Sequence, residues 1–186
     1  MTSQQEIQSL LQTFQEGYTR RDVTRLDAFM DLFTPEAEVI GTNAVHPGVD
    51  EWHIGRESSR DLVEGDWCWW GDVSLDWKAA SIQVNGDTGW VAATATVTKS
   101  IGVEGYTSFL ENIKKLLETS ILPDEQKLHY ILRGGSNTVY ELRRGEKFVW
   151  PLRFTAVVVR QAGGWKFAQI HFSFATKYFP DVRIVE

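Results

Sequence analysis

Residues 18–39, YTRRDVTRLDAFMDLFTPEAEV, carry the chain out of one helix, through a second and into a strand, and their reading decides the fold. Upstream, Ser3-Gln4-Gln5-Glu6 has the capping-box pattern, and Ile7, Leu10, Leu11, Phe14 and Tyr18 recur at helical spacing. A first amphipathic helix to about Arg20 follows from that spacing. Asp22 can cap a second helix whose Val23, Leu26, Phe29, Met30 and Phe33 form one stripe until Thr34-Pro35 stops it. Glu38-Val39-Ile40 then reads as a short strand. Residues 42–54 carry Gly, Pro, Asn, His46 and His53 without a period and read as a loop, and a third, weakly amphipathic helix is expected from Arg56 to about Glu64.

From Asp72 the period becomes two, with Val73, Leu75, Trp77 and Ala79 on one face and Ser74, Asp76 and Lys78 on the other. Asn85-Gly86-Asp87 is a hairpin turn, after which Gly89 to Thr98 returns with Thr94, Thr96 and Thr98 sharing a face. Strands resume around Val149–Arg160 and, after Gly163-Gly164, over Trp165–Phe174 as an antiparallel hairpin. Between them, Ser108-Phe109-Leu110-Glu111 opens a helix through Ile113, Leu116 and Leu117. Pro123 starts a second one through Leu128, Ile131 and Leu132 that Gly134-Gly135 is expected to end. This is a helical hairpin inserted in a sheet at about 104–146, and its apolar stripe suggests a lid over a pocket.

The chain has 186 residues, enough to bury roughly 70% of its unfolded surface as one domain. Its formal charge of −6, with scattered bases, argues against a nucleic-acid partner. No apolar run approaches the ~20 residues a bilayer requires, so no membrane span is expected. The opening MTSQQEIQ lacks signal-peptide character, and the single Cys68 allows no internal disulfide, which together predict a reducing, cytoplasmic location. Eight tryptophans are a heavy load, and four of them, Trp67, Trp69, Trp70 and Trp77, crowd into eleven positions. Their indoles serve either as core or as walls of a ligand pocket.

Tyr18 to Asp22, the run Leu32-Phe33-Thr34-Pro35-Glu36-Ala37-Glu38-Val39, Gly55-Arg56-Glu57 and the terminal strand Gly164-Trp165-Lys166-Phe167-Ala168-Gln169-Ile170-His171-Phe172-Ser173 together resemble the SnoaL-like branch of the nuclear transport factor 2-like superfamily. The resemblance implies an α+β fold, a cone-shaped curved antiparallel sheet with three N-terminal helices, here with an inserted helical hairpin, spanning 1–186 as a single domain. The superfamily hosts isomerases, cyclases, dehydratases, ligand binders and oligomerisation domains, so the fold alone assigns no activity. Counting from Asp22, the oxyanion-stabilising Tyr of its steroid isomerases falls on Phe14. Counting from Val39, their general-base Asp falls on Gly41. Neither can do that work. The catalytic Asp that the cyclases and epoxide hydrolases draw from a late strand is also missing from Trp165–Phe174.

That strand instead offers Gln169, His171 and Ser173, which simple alternation puts on one face with Phe167. His171 is the catalytic candidate, being the one titratable group on a core strand. The alternative is a histidine hydrogen-bonded within the sheet or at a dimer seam. The ligand-binding candidates are Phe14, Tyr18, Trp67, Trp77, Gln169, His171 and Ser173. Asp66, Asp72 and Asp76 are threaded among the tryptophans, where an apolar wall can raise a carboxyl pKa, or they are solvated acids. His46 and His53 lack the spacing of a metal site, and no phosphate-binding loop is present, so no cofactor or metal is expected. The expected function is a small-molecule pocket for an apolar or aromatic ligand, either binding alone or cofactor-free acid-base chemistry. The competing expectation is a non-enzymatic interaction domain. In either case a homodimer through the outer sheet face is expected.

Overall fold

Helix α1 (Ser3–Arg20) is the organising element, because its stripe of Ile7, Leu10, Leu11, Phe14 and Tyr18 is buried against the sheet. The structure, a computed structural model, describes residues 1–100, 102, 104–143 and 147–174. The N-cap is Thr2, one residue before the expected Ser3. Its hydroxyl accepts from the Gln5 N–H at 3.3 Å while the Gln5 side chain accepts from the Thr2 N–H at 2.8 Å. Arg21 ends the helix in the left-handed region at φ 48°.

Asp22 caps as expected, but it starts a single 3-10 turn (Val23–Arg25) that leads into a short helix α2 (Leu26–Met30). The expected stripe is therefore cut at both ends. Val23 is exposed, and Phe33 already belongs to strand β1 (Phe33–Ile40). Thr34-Pro35 does not separate helix from strand. It sits inside β1, where the pairing with the last strand shifts register between Phe33 and Glu38, so Pro35 has no ladder hydrogen bond to donate. The expected loop 42–54 closes on a short strand β2 (Trp52–Ile54), antiparallel to β1. Helix α3 (Arg56–Gly65) continues without a break into one π-helical turn, Asp66–Trp70.

Strand β3 (Asp72–Leu75) is shorter than the alternation suggested. Val73 and Leu75 point inward, but the chain leaves the sheet at Asp76, so Trp77 and Ala79 are not part of that face. Strands β4 (Ser81–Asn85) and β5 (Thr88–Ser100) form the hairpin, with Gly86 at φ 60° in the first of two turn positions, where a side chain would be strained. Strands β6 (Lys147–Gln161) and β7 (Gly164–Phe174) form the last hairpin. The strand order is β2-β1-β7-β6-β5-β3, with β4 also on β5. In the curved sheet the β1–β2, β3–β5, β4–β5 and β6–β7 pairs are antiparallel, and β1 runs parallel to β7. It does not close.

The chain divides into two compact units, the first built from 1–98 and the residues from 149 on, the second from 99–148. The second is the expected hairpin, α4 (Glu104–Thr119) against α5 (Asp124–Arg143). Gly134-Gly135 does not end α5. A helical glycine costs about 1 kcal/mol, and Gly135 has a packing reason to be there: a Cβ on it would stand 3.4 Å from the Phe109 ring. No helix among the described residues is long and apolar enough to cross a membrane.

The core of the first unit is aromatic. Phe14, fully buried, has the rings of Tyr18, Phe29, Phe33, Phe154, Phe167 and Phe172 at centroid distances from 4.9 to 6.4 Å. Burial of such rings is the dominant stabilising term, with tilted and edge contacts adding to it.

Candidate acid-base site

Tyr18 is the last core residue of α1, one turn beyond Phe14, and is 1% exposed. Its hydroxyl needs a partner, and it donates to Asp66 Oδ2 at 2.8 Å. Asp66 is supplied by the π-helical turn, which turns Asp66, Trp67 and Trp70 toward the core while leaving Cys68 and Trp69 outside. Single π turns recur at functional sites, and here the wider turn brings a carboxyl to the mouth of the aromatic core. The pair is walled by Trp67, edge-on to Tyr18 at 6.3 Å, by Phe172 at 6.1 Å from Tyr18, and by Trp70 at 5.2 Å from Phe172.

Electrostatics follow from this setting. Burial pushes the Asp66 carboxyl from 3.8 up to about 7; the Tyr18 hydrogen bond works against that shift, and the negative charge of Glu51 adds to it. The Tyr18 hydroxyl is held well above its ordinary value by burial, then by the charge of Asp66 and the hydrogen bond to it. A carboxyl near 7 is half ionised at neutrality and can both take and return a proton, while Tyr18 stays protonated and fixes its orientation.

Glu51 reaches this region because Gly41 has no side chain. A Cβ at Gly41 would stand 2.5 Å from Glu51 Oε2, and the Glu51 carboxylate is held there by the Asn43 N–H at 2.8 Å and the Asn43 amide at 2.9 Å. The position read as an absent general base is thus filled by a carboxylate from the following loop.

Of the residues singled out in the sequence, Phe14, Tyr18 and Trp67 come together, with Phe14 at the centre of the core rather than on a surface. Trp77 is elsewhere, half-buried beside Lys78 and lining a shallow cavity of about 360 Å³ with Ser74, Thr94 and Thr96. Gln169, His171 and Ser173 lie on the opposite face of the sheet from the aromatic core. The reason is a bulge: Val157 pairs with Gln169 and Val158 with Phe167, so Ala168 is unpaired and the alternation slips by one. Trp165 and Phe167 face inward before it, Ile170 and Phe172 after it. His171 therefore does not share a face with Phe167. It is half-buried opposite Thr155, and burial, then the nearby Arg153 charge, lowers its pKa. Gln169 donates to Glu38 Oε2 at 3.2 Å, which also accepts from the Trp52 indole at 3.1 Å. His53 Nδ1 stands 3.0 Å from the Ser58 hydroxyl, and among the described residues no three His, Cys, Asp or Glu side chains gather as a metal group.

Several solved structures share this fold. A ketosteroid isomerase-like protein from Erwinia carotovora is 12% identical, with a TM-score of 0.52 over 89% of this chain and 90% of its own. An NTF2-like protein with a cystatin-like fold from Novosphingobium aromaticivorans is 12% identical, with a TM-score of 0.58 over 94% and 83%. A dehydratase candidate of the NTF2-like family from Streptomyces avermitilis is 16% identical, with a TM-score of 0.57 over 92% and 95%. At these identities the likeness shows the fold, that of the nuclear transport factor 2-like superfamily. Within it, the SnoaL-like domain model matches residues 7–111, more than half the chain, and the protein belongs to that family. No curated protein matches it in sequence.

Proposed function

We propose that this protein binds an apolar cyclic small molecule and acts on it by cofactor-free acid-base chemistry at the Tyr18–Asp66 pair. The observation that carries this reading is the 2.8 Å hydrogen bond between a buried phenol and a carboxyl raised to about 7, under aromatic walls. Asp66 would remove a proton from a carbon next to a carbonyl, leaving an enolate, and become neutral. It would then return that proton, either to a different carbon, which is an isomerisation, or to a departing hydroxyl, which is a dehydration that releases water. The names of the isomerase-like and dehydratase-candidate neighbours support that class of reaction.

The same reading includes a cytoplasmic homodimer. The outer faces of β5, β6 and β7 support it, since Ala92, Thr94, Thr96, Thr155, Val157 and the half-buried His171 make a face with few charges. In that case His171, Gln169 and Ser173 belong to a seam, and a monomeric mass by light scattering would remove this part.

Deuterium incorporation tests the chemistry without knowledge of the natural substrate. Cyclic ketones and enones are incubated with the protein in D₂O, and loss of the α-proton is followed by NMR. Wild type should accelerate exchange, with a rise through pH ~7, and Asp66→Asn should lose about 10²-fold or more of that acceleration. Exchange that is equal in the two proteins would refute the role of Asp66.

A further inference from the structure

A cavity of about 190 Å³ opens on the helical side of the first unit, between α1, the 3-10 turn and α2. Its floor is Phe29, Leu32, Gly17 and Trp67, and its rim carries Arg20 and Arg25. Tyr18 and Asp66 do not line it. A dry cavity of about 150 Å³ is enough to hold a benzene ring, so the volume fits one ring with a small substituent.

The polar groups decide what that substituent is. The two acids at the rim are already engaged: Glu16 accepts from Arg20 at 3.4 Å and from Gln12 at 3.1 Å, while Asp22 accepts the N–H and the hydroxyl of Thr24 at 3.1 and 2.6 Å. Arg25 makes no ion pair within 4 Å among the described residues; its charge acts on Asp22 at longer range, helping to hold that carboxyl down, and its guanidinium donors are left to take an anion at the rim. At the floor, Trp67 Nε1 is buried and has no hydrogen-bond partner among the described residues, an arrangement that costs roughly 1–3 kcal/mol. Cζ2, next to the nitrogen-bearing carbon on that ring, stands 3.4 Å from where a Cβ of the cavity-lining Gly17 would be.

We propose that this cavity is a second binding site, for a compact aromatic carboxylate, with its ring against Phe29 and Trp67 and its carboxylate on Arg25 at the rim. The site is independent of the acid-base reading, although Trp67 and Phe29, whose ring lies 6.0 Å from that of Tyr18, border both.

Benzoate is the probe and benzamide its neutral counterpart. Each is titrated into ¹⁵N-labelled protein while the Trp67 indole N–H resonance, identified by its loss in Trp67→Phe, is followed. Benzoate should shift that resonance together with backbone signals of residues 13–32. Benzamide should bind about tenfold more weakly, as should benzoate to Arg25→Gln. Ala28→Leu changes an exposed helical residue at the cavity wall and should reduce the shift without unfolding the chain, which thermal denaturation checks. The proposal is overturned if the Trp67 signal does not move at about 20 mM benzoate, if benzamide binds as well as benzoate, or if Arg25→Gln is without effect. It is equally overturned if the shifts centre on Trp70 and Phe172, which belong to the other site.

Discussion

Replacing Asp66 with Asn should make the protein more stable, and more so as pH rises. In the folded chain Asp66 holds its proton up to about 7, whereas in the unfolded chain it ionises near 3.8. Between those values the unfolded state binds fewer protons than the folded state, so the stability of wild type falls as pH rises from about 4 to about 7 and levels off above. A shift of about 3 pH units at about 1.4 kcal/mol per unit sets an upper bound of about 4 kcal/mol for that loss. Asp66 is partly open to solvent, and relaxation around the ionised form reduces the expected value to about 2–4 kcal/mol. Asn cannot ionise, yet its side-chain oxygen can still accept from Tyr18, so the variant keeps the hydrogen bond and escapes the loss. Urea unfolding of both proteins at pH 4.5, 6, 7 and 8 reads the difference directly. The gap between variant and wild type should widen through pH 7 and then stay constant. A gap that is flat across this range, or one that narrows, would refute the argument that Asp66 is ionised at a cost to the fold.

Two further substitutions probe the frame that holds the site. Phe14→Ala empties the centre of a cluster of seven rings and should cost about 3–5 kcal/mol in chemical denaturation, with a loss under 1 kcal/mol contradicting its core role. Thr2→Ala removes one half of the capping box on α1 and should cost about 1 kcal/mol, with Thr2→Ser retaining most of the stability.

The fold was legible wherever a period ran long enough to be read. The α1 stripe from Ile7 to Tyr18 and the alternation of β5 from Val91 to Val97 are each long and regular, and both elements stand as read. Shorter signals misled. The apolar residues from Val23 to Phe33 fit a helical stripe, but they serve a turn, a short helix and the start of a strand, because burial at each position is decided by tertiary neighbours rather than by one helix face. Strand β2 is three residues long, too short to show a period, and pairs with β1. The candidate site was half legible. Helical spacing points to Tyr18 and the aromatic load to Trp67, but Asp66 is one of three acids among the tryptophans, with Asp72 and Asp76, that read equally as solvated, and the contact that joins it to Tyr18 spans 48 residues and leaves no local pattern. Nor does any local pattern announce that Glu51 fills the space at Gly41. His171 drew attention as a histidine on a core strand, and one unpaired residue, Ala168, was enough to turn it to the other face.

Asp66, bonded to Tyr18 and half-buried, has its carboxyl pushed up to about 7. Carboxyl ¹³C NMR on protein labelled at aspartate, with the Asp66 signal identified by its loss in Asp66→Asn, measures that titration without substrate or turnover. We expect a midpoint near 7 in wild type. In Tyr18→Phe the midpoint should move higher still, because the hydrogen bond from Tyr18 is the contribution that lowers it. A midpoint near 4, the ordinary range of an aspartate carboxyl, or one that falls when the Tyr18 hydroxyl is removed, would contradict the account.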